Sequence, residues 1–391
     1  MMLLGLLALS CSDAPESSLS AVTPLDRLRR ASLALRGHPP TPEETREVHG
    51  GGDWATVVRS WRSDPTLGEV AADVIAEALG VRHDAQPHVP SLGPLASVPP
   101  AVLTDRLDEA PLRLVAHIVE TGRPFTDILT TGDVLADPVV ARAYGPPVDE
   151  SDPRWQLSSW PDGRPAAGLL SSSTLMQRHP IAPTNHQRSR AAIVMEAFLC
   201  DDLSSRPEAG TVEPALQDDA LQTDAVCLSC HASLDPLAAN FVGFRRYILG
   251  SEVQDGYRAD CAEGFCYPLA LYAPGLDSAE VLPAPGFYGT PTDGLEAVGR
   301  AIAGDRRFAT CMVQRFFGHL AGLDWADVQG DFVGPLADRF TDGFDARDLL
   351  LDIATHEAFA PGSPHAPPSF LRTPRASSWL RAVSGSTASP S

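Results

Sequence analysis

Proline is spread along the whole of this sequence, and it limits how far any helix or strand can extend. It occupies 36 of the 391 positions, about twice its usual share of ~5%. Because proline lacks a backbone N–H, it starts helices well but is poorly tolerated inside helices and central strands. The alternation of apolar and polar residues that is typical of strands is scarce. We therefore predict a mainly α protein, with several helical modules joined by long loops rich in proline and glycine.

Start and stop signals locate the helices. Thr23 is a candidate N-cap with Pro24 in the first helical position, and Gly37 ends this pattern. Thr41 and Glu44 have the spacing of a capping box. Further helices are predicted over residues 67–79, 101–120, 138–144, 189–200, 293–303 with Thr292 as the cap, 306–320 with Asp305 as the cap, and 345–354.

A short motif in the middle of the chain carries the clearest chemistry. Cys227, Cys230 and His231 form the pattern Cys-x-x-Cys-His, which is typical of covalent haem attachment. Two thiols one helical turn apart can add to the two vinyl groups of one haem, and the adjacent histidine becomes the axial ligand of the iron. We therefore predict haem c, with His231 on the iron. Two alternatives remain: a redox-active dithiol, or a zinc site that also includes Cys261 and Cys266.

A sixth ligand to the iron is harder to identify from the sequence. Met312 is a candidate because methionine and histidine are the usual distal ligands and it follows the motif in the chain. It shares a predicted helix face with Phe308 and Phe316, which also suits a core residue. A five-coordinate iron is the remaining alternative. Other candidates for the sixth position are His319, His179 and Met176.

The remaining cysteines can be allocated once the haem motif is set aside. Cys261 and Cys266 enclose a four-residue turn that a disulfide could close in an oxidising compartment. Cys200 and Cys311 stand in two predicted apolar helices and could pair with each other, the alternative being two buried thiols.

The N-terminus predicts export. Residues 1–10 form an apolar run that is too short to span a bilayer but resembles the core of a secretory signal. Ser10 before Cys11 is similar to a bacterial lipoprotein processing site, so we predict lipidation of Cys11 and an exported protein in the periplasm or at the outer membrane and cell surface. The alternative is an ordinary cleaved signal. Membrane contact is expected through the lipid anchor only.

The charged residues exclude several classes of function. All 30 basic residues are arginine, which excludes chemistry that needs a lysine. The net charge of −20 argues against nucleic-acid binding and favours a redox partner with a basic docking face. No secure catalytic constellation is found. Arg315 and His319 share a predicted helix, but their face is expected to be solvated.

Composition and motifs together divide the chain into six segments. They are a signal or lipoprotein segment (1–20), an N-terminal helical module (21–147), a linker (148–165), a middle module that bears haem c (166–285), a C-terminal helical module (286–360) and a disordered tail (361–391).

Several pieces of the sequence, in order along the chain, resemble the planctomycete-type cytochrome c family. They are residues 28–44, 124–145, 168–200, 227–237 and 307–322. The resemblance implies a secreted c-type haem protein built of several domains of unknown function. Electron transfer is the first expectation for its function. The alternatives are a haem-dependent enzyme, of peroxidase or oxidase type or linked to polysaccharide degradation, and a surface scaffold that carries haem.

Overall fold

The computed structural model describes residues 22–82, 89–179, 186–205, 225–244, 267–269, 271–273 and 282–360. These residues are mainly helical, which confirms the predicted fold class. The helices are α1 Pro24–Arg36, α2 Pro42–His49, α3 Trp54–Arg59, α4 Thr66–Ala78, α5 Pro100–Glu120, α6 Pro138–Tyr144, α7 Ser173–Arg178, α8 Arg188–Leu199, α9 Ala225–Ala239, α10 Leu295–Ala303, α11 Arg306–Ala321, α12 Val333–Phe340 and α13 Ala346–Thr355. The strands are β1 Asp133–Ala136, β2 Gln156–Ser159, β3 Gly286–Phe287 and β4 Thr290–Pro291.

Three expectations of the sequence analysis fall outside these residues. Cys11 and the predicted signal segment precede the first described residue, and the predicted tail follows the last one. Cys261 and Cys266 also lie in a range that the structure does not describe.

Local capping explains why most helices begin where the sequence predicts. The Thr23 side chain accepts a hydrogen bond from the backbone of α1, and Gly37 ends that helix in the left-handed conformation. Thr41 and Glu44 form the expected capping box at the start of α2. Asp305 caps α11 by accepting a hydrogen bond from the Arg307 backbone N–H.

Two local predictions differ from the structure. Helix α10 begins after Gly294, which has a φ of 122°, and not after Thr292. The Thr292 hydroxyl instead donates to the Asn240 side chain at 2.8 Å, so a tertiary contact replaces the predicted cap. The segment read as a linker contains β2, which pairs antiparallel with β1.

One hydrophobic core runs through all three predicted modules. Helices α4 and α5 pack against each other, and α11 packs against α4, α8, α12 and α13. Phe125 from the N-terminal module contacts Phe308 and Phe316 of α11, with ring centroids 6.5 and 5.6 Å apart. All three side chains are fully buried. Within the described residues, none of the helices is both long enough and apolar enough to traverse a bilayer.

The two ends of the described chain meet. Helices α1 and α3 both pack against α13. Arg59 forms an ion pair with Asp352 at 3.0 Å, and Arg62 pairs with Asp348 at 2.6 Å. The first helices are therefore anchored on the last one, nearly 300 residues later in the sequence.

A disulfide links Cys200 to Cys311, which are 111 residues apart. This is the pairing that the cysteine allocation predicted. Cys200 ends α8 in the left-handed conformation, with a φ of 52°. Cys311 lies on α11 and is buried. The bond therefore fixes the end of α8 to the central helix of the core.

The Glu44 carboxylate gives the first stability prediction, because it accepts four hydrogen bonds from three residues. It accepts two hydrogen bonds from Arg36, at 2.9 and 2.7 Å. It also accepts one from the Thr41 backbone at 2.8 Å and one from the Trp61 indole at 2.7 Å. Burial raises the pKa of Glu44, but these hydrogen bonds outweigh it and lower the pKa to about 2.

We expect Glu44→Gln to remove a pH-dependent part of the stability. The native pKa lies below the unfolded value, so this contribution is complete above pH ~5 and is lost as the pH falls towards 2. It amounts to about 3 kcal/mol. Urea unfolding at pH 7 and at pH 3 measures it, and the acid-induced loss should be smaller in Glu44→Gln. Glu43→Gln, at an exposed neighbouring position, is the matched control and should lose as much stability between pH 7 and pH 3 as the wild type.

Candidate haem-binding site

Helix α9 places the motif residues on one face. Cys227 and Cys230 are separated by three positions and His231 follows at the fourth, so all three side chains project from the same side of the first two turns. Both cysteines are partly exposed, and neither forms a disulfide. The second half of the helix is different, because Leu237 and Ala238 are buried in the core. The motif therefore lies where α9 emerges from the protein interior.

A buried carboxylate fixes the orientation of His231. Its Nδ1 lies 2.8 Å from Oδ1 of Asp235, one turn further along α9. Asp235 also accepts two hydrogen bonds from Arg188, with Nε at 2.6 Å from Oδ1 and Nη2 at 2.8 Å from Oδ2. The Asp235 side chain is only 10% exposed. Because Nδ1 is engaged, Nε2 is the ring nitrogen that remains for a metal.

Asp235 is held as a carboxylate. Burial raises the pKa of this carboxyl group, but the hydrogen bonds from Arg188 and His231 outweigh it, and the pKa lies below its ordinary value. Nδ1 of His231 therefore lies against a negatively charged carboxylate. We refer to His231, Asp235 and Arg188 as the His231 triad.

The helix that supplies Arg188 is fixed at its first turn. Gln187, which precedes α8, has a φ of 69° and donates to the backbone oxygen of Phe244 at 3.2 Å. The fully buried Arg190 donates to the Gln187 side chain at 2.7 Å and to the Met176 carbonyl at 2.9 Å. These contacts tie the start of α8 to the segment that follows α9, so they also position Arg188.

The end of α9 is anchored in a similar way. Pro236 cannot donate a backbone hydrogen bond inside the helix. Asn240, which is buried, donates to the Pro236 carbonyl at 3.0 Å and accepts from Thr292 at 2.8 Å. Helix α9 also packs against β3 and α8. The motif is therefore presented on a helix that is held on two sides.

The candidates for the sixth iron ligand have structural contacts of their own. Met312 is fully buried in the core on α11. Met176 is buried on α7, where its carbonyl accepts from Arg190. His179 lies 3.4 Å from the Leu79 carbonyl, and burial lowers its pKa to about 4.

Arg315 and His319 are not on a solvated face, so that expectation is wrong. Arg315 is buried and donates to the Glu196 carbonyl at 2.5 Å. Burial lowers its pKa to about 10. His319 lies 3.0 Å from a carboxylate oxygen of Glu77 on α4. The two side chains join α11 to α8 and α4.

Two site residues were missed by the sequence analysis. The spacing of four between His231 and Asp235 was a usable signal, because residues four apart are neighbours on a helix surface. Arg188 gave no such signal, since it lies 47 positions from Asp235 in the sequence. Only the packing of α8 on α9 brings it to the carboxylate.

The described residues fit covalent haem. Two thiols one turn apart and a histidine with one oriented nitrogen provide the donors that haem c requires. Among these residues, no group of three or more His, Cys, Asp or Glu side chains is arranged to hold a metal ion directly. Cys261 and Cys266, which the zinc alternative needs, lie outside the described ranges. No protein-family model, curated protein or solved structure matches this chain.

Proposed function

We propose that this protein is an exported c-type haem protein that exchanges electrons with a protein partner. The observation that carries the proposal is the placement of Cys227, Cys230 and His231 on one partly exposed face of α9, with the histidine ring fixed by Asp235. The two thiols hold the porphyrin through thioether bonds, and His231 holds the iron. The haem supplies a one-electron couple when bound.

Several features support this location and partner. The disulfide between Cys200 and Cys311 suits an oxidising compartment. The apolar run before Cys11 suits export and lipid anchoring in the periplasm or at the cell surface of a bacterium. The net charge of −20 favours encounter with a basic redox partner. The resemblance to planctomycete-type cytochrome c proteins points the same way.

A haem-dependent enzyme is the second candidate. The anionic partner of His231 favours it, because a carboxylate on the second ring nitrogen makes a metal-bound histidine more basic. The spin state and the response to peroxide separate the two functions. A six-coordinate, low-spin spectrum that peroxide leaves unchanged supports electron transfer. A high-spin spectrum that changes with peroxide supports an enzyme.

Covalent haem is the first property to test. We expect protein matured in a host for c-type cytochromes to stain for covalent haem and to give the haemochrome spectrum of haem c. Cys227→Ala with Cys230→Ala should abolish the stain, because no thiol remains to form a thioether bond. Intact mass measures the same loss.

Ser229→Ala is the matched control. Ser229 lies between the two cysteines, and its hydroxyl donates to the Val226 carbonyl at 2.6 Å. The variant should retain the full haem content. A wild-type protein without haem, or a double variant that still stains, would contradict the proposed function.

A further inference from the structure

The His231 triad connects the motif helix to a cation on a different helix. Asp235 lies between the two partners, 2.8 Å from Nδ1 of His231 and 2.6 Å from Nε of Arg188. The oxygen Oδ1 of Asp235 takes part in both contacts. Of His231 and Arg188, only Arg188 contacts the other oxygen, Oδ2. The charge that Asp235 offers to the histidine therefore depends on how strongly Arg188 holds the carboxylate.

The carboxylate and the guanidinium have opposite effects on how strongly a histidine donates electrons to iron. A carboxylate that accepts from Nδ1–H makes the imidazole a stronger donor, which stabilises the oxidised metal. A guanidinium bound to that carboxylate withdraws negative charge from the contact and adds a positive charge nearby. Both side chains are largely buried, at 10% and 13% exposure, so water screens these effects only weakly.

We propose that Asp235 and Arg188 are positioning residues that set the reduction potential of the haem iron through His231. Asp235 lowers the potential and Arg188 raises it. This inference rests on the proposed haem function. The reduction potential is thus set by a carboxylate on the motif helix and by Arg188, the first residue of α8. Helix α8 is in turn tied to the core by the disulfide at its other end.

Two substitutions test the opposite signs. Asp235→Asn keeps the size of the side chain but removes its charge, and the reduction potential should rise. Arg188→Gln leaves the carboxylate without the guanidinium, and the potential should fall. We expect each variant to change the ratio of oxidised to reduced haem at least tenfold at a fixed applied potential, which is about 59 mV for one electron. Electron paramagnetic resonance of the ferric haem should shift in both variants.

Charge-matched controls separate tuning from a change in net charge. Asp293→Asn and Arg300→Gln make the same charge changes at exposed positions, on and next to α10. Their reduction potentials should stay close to that of the wild type. The covalent-haem stain is measured on every sample, so that haem content and potential are known separately.

The outcomes distinguish the two proposals. A wild-type protein that carries no covalent haem overturns the proposed function. Haem-loaded Asp235→Asn and Arg188→Gln proteins with control-like potentials overturn this inference and leave the function standing. Shifts of the same sign in both variants also overturn it. If Asp235→Asn does not mature, Arg188→Gln decides alone: a lower potential supports the inference, and an unchanged or higher one overturns it.

Discussion

Removing the disulfide with Cys200→Ala and Cys311→Ala should lower the free energy of unfolding by about 5 kcal/mol. The bond closes a loop between residues 111 positions apart, so it removes much conformational freedom from the unfolded chain. A typical domain is stable by only about 5–15 kcal/mol. The double variant is therefore expected to be close to unfolding at 37 °C. Urea titration under oxidising conditions measures the loss.

A second double variant separates the bond from backbone strain. Cys200 has a φ of 52°, a conformation that glycine adopts without penalty. Cys200→Gly with Cys311→Ala should be more stable than the alanine pair by about 1 kcal/mol. A reductant should destabilise the wild type more than either variant, because both variants lack the Cys200–Cys311 bond. An alanine pair as stable as the oxidised wild type would contradict the loop-closure argument.

Phe125→Ala should cost about 4 kcal/mol, the second large effect. The Phe125 ring is fully buried and contacts Phe308, Phe316 and Phe340. Removing it leaves a cavity where the N-terminal and C-terminal segments meet, and the surrounding helices can close it only partly. Because the core cluster that contains Phe125 spans the N-terminal and C-terminal segments, we expect one cooperative transition at a lower denaturant concentration.

Phe125→Leu is the control for the cavity. It keeps most of the buried volume and should lose much less stability than the alanine variant. Circular dichroism and tryptophan fluorescence should report the same midpoint for each protein. Separate transitions in the two signals would show that the predicted modules unfold independently, and this would contradict a shared core.

Helices are predictable from the sequence where the interactions that fix their ends are local. Thr23, Thr41 and Asp305 cap the backbone within three residues of themselves, so each signal is complete in a short window of sequence. Cys227, Cys230 and His231 are equally local, because their spacing alone places them on one helix face.

The features that the sequence could not predict depend on contacts between residues far apart in the chain. Thr292 is a good capping residue, but its hydroxyl binds Asn240, 52 positions earlier. The sequence around Arg315 is compatible with a solvated arginine, and only the folded structure shows its contact with the Glu196 carbonyl. Arg188 reaches Asp235 only because α8 packs on α9. In each case the packing of other elements determines the contact partner, and the sequence pattern of one helix does not predict that partner.

The meeting of the first and last helices has a consequence for how the chain acquires its structure. Helices α1 and α3 bury their apolar sides partly against α13, and Arg30 lies over the ring of Phe359 at 4.4 Å. A growing chain that has reached only its middle cannot make these contacts, so the packing of its N-terminal helices is completed only after α13 has been synthesised.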